Sequence, residues 1–172
     1  METTDSDKHW YVVLTRTNSE RKVRDYFQLQ EVDTFLPVQN RVIEREGKRI
    51  ERERLLLPRM VFVHISRQEM AAVRSTLNVY DFLRDRSTGA PTCIPDAQMA
   101  DFRYMLDYSQ DQVILTGESI PKGTRVVVAK GDLQGLRGEL VRYNNKYHIL
   151  VRIDMFGSAM VTMPASYGRK EK

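Results

Sequence analysis

The chain has 172 residues, 41% of them apolar and 29% charged, and a formal net charge of +4. That length and composition fit one medium or two small globular units and exclude an intrinsically disordered chain. No apolar run approaches the roughly eighteen residues of a membrane-spanning helix, and the polar stretch 1–8 reads as no secretory signal. The lone cysteine, Cys93, permits no internal disulfide and suggests a reducing, cytoplasmic setting, and the three histidines form no metal-ligand spacing.

Charge is unevenly spread. Residues 1–108 hold seventeen cations and seventeen acids and sum to zero, residues 109–120 carry −2, and residues 121–172, with ten cations and four acids, carry +6. The texture changes at the same place, from long amphipathic stretches to short Val/Ile runs separated by glycines, which predicts a boundary there.

In chain order, residues 9–15 (HWYVVLT) are aromatic and β-branched and predict a strand. Asn18 or Ser19 then caps a helix over 19–30, with Val23, Tyr26 and Phe27 at helical spacing. Residues 34–38 read as an edge or bulged strand because of Pro37. Stretches 41–46 and 49–54 flank Gly47-Lys48 and read as a solvent-projecting hairpin or loop. Its arginines alternate with four glutamates, which favours a solvated face over direct phosphate contact. Residues 60–65 (MVFVHI) are the most apolar strand of this half. A short helix over 68–76, a strand over 79–83 and a helix over 96–108 carrying Met99, Phe102, Met105 and Leu106 follow. This order predicts an α+β fold, an antiparallel sheet with packed helices. Residues 109–121 lack periodicity and read as a linker. Residues 122–168 predict four or five short strands with turns at Gly131-Asp132, Asn144-Asn145 and 156–158, closing into a small β-barrel.

Several stretches resemble one family. WYVVLTR at 10–16, SERKV at 19–23 and LPRMVFV at 57–63 are similar to the NusG N-terminal domain, and GTRVVVAKGDLQGLRGELV at 123–141 with VRIDMFG at 151–157 resembles its KOW motif. The stretches TRTNSERKV at 15–23, FLPV at 35–38 and GDLQGLRG at 131–138 are similar to the specialised UpxY transcription antiterminators of Bacteroides capsular polysaccharide loci; RfaH is a more distant relative of that kind. The resemblance implies a NusG-type N-terminal domain at 9–108, a linker at 109–121 and an SH3-like KOW barrel at 122–168. It also implies a non-enzymatic factor without cofactor or metal, a monomer that binds RNA polymerase and promotes read-through of pauses and terminators in a specific operon. The alternatives are a general NusG-type factor that couples to Rho or the ribosome, and an RNA-binding adapter associated with translation. Two departures stand out: Leu57-Pro58-Arg59-Met60 replaces a frequent Phe-Pro-Gly-Tyr, and Gly131-Asp132-Leu133 a frequent Gly-Pro-Phe.

The resemblance assigns candidate residues. Tyr11, Leu57, Met60, Phe62 and Phe82 match an apolar surface for the clamp helices of the polymerase largest subunit, and strand alternation puts Met60 and Phe62 on the face opposite Val61, Val63 and Ile65. Arg16, Arg21, Lys22 and Arg74 match a region that meets the non-template DNA strand or the nascent RNA leader. Cations beside a helix start suit phosphate, and Tyr26 can stack a base or pack in the core. Phe156 and Gly157 match a loop that contacts ribosomal protein S10 or Rho. No catalytic constellation is visible; His64 reads as an interface or buried polar residue.

Overall fold

In the computed structural model, which describes residues 7–171, the chain divides into two units, Met1–Asp96 and Ala97–Lys172. Strands dominate both, and helices are few.

The first unit is organised by β1 (His9–Thr15), whose aromatic and β-branched residues suit a strand flanked on both edges. It pairs antiparallel with β5 (Met60–Ile65) along one edge and with β6 (Val79–Phe82) and β7 (Cys93–Ile94) along the other. β2 (Asp33–Phe35) extends the sheet beyond β5. β2 is shorter than the sequence suggests: after Phe35 the chain passes Leu36 and Pro37, and Val38 already opens the next strand. Pro37 lacks the N–H that a continued ladder needs.

One face of this sheet is covered by α1 (Glu20–Leu29) and α2 (Met70–Arg74). Val23 and Phe27 stand four residues apart on α1, so both reach the same side of the helix. They are buried with Val73 of α2 against Tyr11, Val13, Val61, Val63, Ile65 and Phe82. Ser19 precedes α1, yet its hydroxyl donates to the Thr17 carbonyl at 3.4 Å rather than capping the helix. The approach to α2 is fixed by a capping box, in which the Ser66 N–H donates to the Glu69 carboxylate at 3.2 Å. β3 (Val38–Arg45) and β4 (Lys48–Leu55) form a separate two-stranded ribbon. Its turn is Glu46-Gly47, one residue earlier than expected, with φ of +54° and +75°. Two successive positive φ values make the hairpin turn whose twist matches that of the flanking strands.

The second unit contains α3, whose full span is Asp96–Tyr108, and a six-stranded antiparallel sheet. Its strands are β8 (Ile114–Thr116), β9 (Thr124–Val128), β10 (Arg137–Tyr143), β11 (Lys146–Ile153), β12 (Gly157–Thr162) and β13 (Gly168–Lys170), in the order β13-β9-β10-β11-β12-β8. The expected closure into a barrel is not found: β13 and β8 end the path and do not pair with each other. β8 itself lies inside 109–121, the stretch expected to be a linker, and pairs with β12. Ile120, Val141, Leu150 and Met160 form a buried cluster of this sheet. Gln98 of α3 exchanges two hydrogen bonds with Asp154, at 2.7 and 3.1 Å, and the Tyr104 hydroxyl donates to the Gln134 carbonyl at 2.6 Å.

Candidate functional site

Strand alternation sorts the five apolar residues expected at one docking surface into different places. Tyr11 and Phe82 lie on the face covered by α1 and α2, with their rings edge to face at 6.1 Å. Burial raises the Tyr11 phenol above its ordinary range. Phe62 lies on the opposite face beside Phe35, ring centroids 6.0 Å apart, and is wholly inaccessible. The side chains of all three are buried. Leu57 and Met60 are partly exposed, at the turn that enters β5. His64 stacks against Trp10 at 5.0 Å.

The turn at 57–60 borders an open cleft of about 590 Å³ at the end of the sheet, lined by Leu14, Arg16, Pro58, Arg59, Met60 and Tyr80. Its walls are tied by the backbone. The Thr15 N–H donates to the Arg59 carbonyl at 2.9 Å, and the Arg16 N–H donates to the Asn78 carbonyl at 2.9 Å. The Arg59 N–H donates at 2.9 Å to the carboxylate of Glu20, a residue only 3% exposed at the first turn of α1. Three separate segments are thereby pinned to the end of β1. Arg59 (φ +65°) and Asn78 (φ +70°) adopt left-handed backbone at these contacts. An L-residue other than Gly or Asn holds that conformation at a cost of about 1 kcal/mol. Arg59 therefore presents its side chain from a backbone position that favours glycine.

The cleft therefore presents two exposed guanidinium groups, Arg16 and Arg59, beside an aromatic ring, Tyr80, that is 77% exposed. Cations that meet phosphates next to a ring that can stack a base are the elements of single-strand recognition. Of the cations expected here, Arg16 is in the cleft and Lys22 is exposed on α1. Arg21 turns to the ribbon and pairs with Glu53 at 3.2 Å. Arg74 pairs at 3.3 Å with Asp81, a neighbour of Tyr80 in sequence. Hydrogen bonding from Arg84 holds the Asp81 carboxyl below its ordinary range. Tyr26 is half exposed on α1, and its ring stands 6.0 Å from that of Phe27.

Sequence reasoning missed Arg59 and Tyr80. Arg59 carried a signal, since it stands where the resembled pattern has a glycine. Tyr80 carried none: it sits two residues from Phe82 on the same short strand, and only the strand's position at the sheet edge separates an exposed ring from a buried one.

In the second unit, Phe156 ends the tight turn after β11 and Gly157 opens β12. Gly157 has φ +94°, and a Cβ there would collide with the Thr116 carbonyl oxygen, so no other residue fits. Phe156 is partly buried, while its neighbour Met155 is 50% exposed. Among the described residues no group of three or more His, Cys, Asp or Glu could hold a metal ion, and no helix is long and apolar enough to cross a membrane.

The family model described as transcription termination factor NusG matches residues 8–103. Among solved structures, Thermotoga maritima NusG matches with a TM-score of 0.52 at 19% identity, covering 98% of this chain and 100% of that one. A chain of the MjSpt4:Spt5 complex matches at 14% identity over 95% of this chain and 98% of its own, with a TM-score of 0.31 that is too low to bear on the fold. No curated protein matches the sequence.

Proposed function

The chain belongs to the family of transcription termination factor NusG, and from that premise we propose that it is a specialised, UpxY-type elongation and antitermination factor for a particular operon, in the manner of capsular polysaccharide loci. The observation that carries this reading is the cleft of Arg16, Arg59 and Tyr80 bordered by the apolar Leu57–Met60 turn. Leu57 and Met60 would meet the clamp helices of the RNA polymerase largest subunit, with Tyr11, Phe62 and Phe82 supporting them from within the sheet. Methionine suits such contacts because its flexible side chain adapts to an irregular partner. Arg16 and Arg59 would take phosphates of the exposed non-template strand while Tyr80 stacks a base, and Lys22, Arg21 and Arg74 would add charge around them. The strand grip would supply sequence preference and the polymerase grip would supply affinity. Stronger binding to the elongating state than to the paused one shifts the population between them, which is all that antitermination requires.

Domain assignments follow the same reading. We take 9–108 as the NusG N-terminal domain, 109–121 as the connection and 122–168 as the KOW domain with an SH3-like strand arrangement. The exposed Met155 beside Phe156 and Gly157 supports a docking loop for ribosomal protein S10 or Rho, and so keeps a general NusG-type role as the second reading.

Transcription in vitro from the operon's own leader, with and without the protein, tests the proposal. Read-through of the leader pause or terminator is expected to rise with the protein. Arg59→Gly is the informative variant, because glycine suits φ +65°; it should keep or slightly raise stability while reducing read-through several-fold, and Tyr80→Ala should do the same. No effect of the protein on its own leader refutes the operon-specific role, and full activity of both variants removes the cleft from it.

A further inference from the structure

The ribbon of β3 and β4 separates its charges in a way that counting along the chain conceals. Pairing runs without interruption from Val38 opposite Leu55 to Arg45 opposite Lys48. Directly opposed residues share a face, and successive pairs alternate between faces. One face therefore carries Arg54, Arg41, Arg52, Arg45 and Lys48, with Ile43 beside Ile50 in the middle and no acidic residue. The other carries Glu53, Glu51 and Glu44 with a single cation, Arg49. The glutamates of these strands, which in a linear reading argue against a nucleic-acid surface, all lie on that second face. It is also the face tied to the body of the unit: Val38 and Leu55 pack against the core cluster, and Glu53 pairs with Arg21 of α1.

The five cations of the first face are exposed, and none enters an ion pair among the described residues. Arg41 stands opposite Arg52 and Arg45 opposite Lys48. Like charges directly opposed across a ladder repel and destabilise it, and no acidic residue on this face offsets the repulsion. A polyanion would offset it from outside.

We propose that this face binds double-helical DNA, with the ribbon lying in the major groove. B-form DNA has a major groove about 12 Å wide, which admits a two-stranded ribbon. The Arg41–Arg52 and Arg45–Lys48 pairs are four residues apart along the strands, roughly 14 Å at the usual rise. They can reach phosphates on both walls while Ile43 and Ile50 meet the groove floor, where apolar side chains contact thymine methyl groups. Double-stranded RNA is the poorer fit, because its major groove is too deep and narrow for side chains to read. This surface is distinct from the cleft of Arg16, Arg59 and Tyr80, and its binding does not depend on any role in transcription.

Fluorescence anisotropy with the full-length protein and short labelled duplexes tests it. Binding to duplex DNA is expected, with a log–log salt slope approaching about −4.5 if all five cations meet phosphates. Arg41→Gln with Arg52→Gln should flatten that slope by about 1.8 and weaken binding roughly tenfold or more at moderate salt. Arg49→Gln removes the same kind of charge from the same ribbon but from the other face, and should leave affinity within about twofold. Thermal melting of the double variant, unchanged or raised because a repulsion is gone, shows that the ribbon is intact. Absence of duplex binding overturns the proposal. So does a loss from Arg49→Gln comparable, per charge, with that of the double variant, or tighter binding to an RNA duplex of the same sequence.

Discussion

Glu139 shows how one buried carboxylate can organise its surroundings. It lies on β10, 6% exposed, and accepts two hydrogen bonds from the Arg152 guanidinium, at 2.7 and 3.0 Å, and one from the Gly123 N–H at 3.0 Å. Arg152 also donates to the Ile120 carbonyl at 2.9 Å, so strands β10 and β11 and the segment leading into β9 meet at one charge pair. Hydrogen bonding from Arg152 holds the Glu139 carboxyl below its ordinary value of 4.5. A lowered carboxyl contributes stability that is fully present above the unfolded value and is lost as pH falls through the folded one. Glu139→Gln should therefore cost about 2 kcal/mol at neutral pH. Its stability should also decline less than the native protein's as the pH drops below about 4.5. Urea melts across that range read both effects. The residue itself was legible in the sequence only as one acid in a basic half. Its burial follows from β10's position between β9 and β11, which no local pattern announces.

At the scale of elements, much of the first sheet could be read directly. The aromatic and β-branched run of β1, the apolar run of β5 and the spacing of Val23 and Phe27 on α1 each carry their own periodicity. What could not be read was which face of the sheet the helices cover. Alternation alone makes Tyr11 and Phe62 equally good candidates for a surface, whereas the packing places the first under α1 and α2 and buries the second on the other side. Phe62→Ala should accordingly act on folding, lowering stability by about 3 kcal/mol or more as a cavity opens in the sheet. Tyr80→Ala, at an exposed ring, should leave thermal melting nearly unchanged. The ribbon gives the opposite lesson. Its division of charge follows from alternation in any register that keeps odd residues of β3 beside even residues of β4. A window of sequence conceals it, because successive residues of a strand face opposite ways.

For the molecule as a whole, the sequence conveys the change of texture near residue 109 but not the division at Asp96, because α3 reads as a continuation of the first half and is hydrogen-bonded to the loops that precede β10 and follow β11. Three-residue strands such as β8 lie below what periodicity can detect, so an apparent linker contains part of a sheet. The open ends of that sheet have unequal protection. β13 carries Arg169 and Lys170, and charged side chains on an outermost strand discourage another chain from pairing there. β8 reads Ile-Leu-Thr and has no charge, and β12 is its partner among the described strands. In concentrated solution its free backbone amides and carbonyls would be where molecules begin to adhere, strand against strand. A lysine in place of the half-exposed Ile114 should lengthen the time to turbidity on storage while leaving the melting temperature close to that of the parent protein.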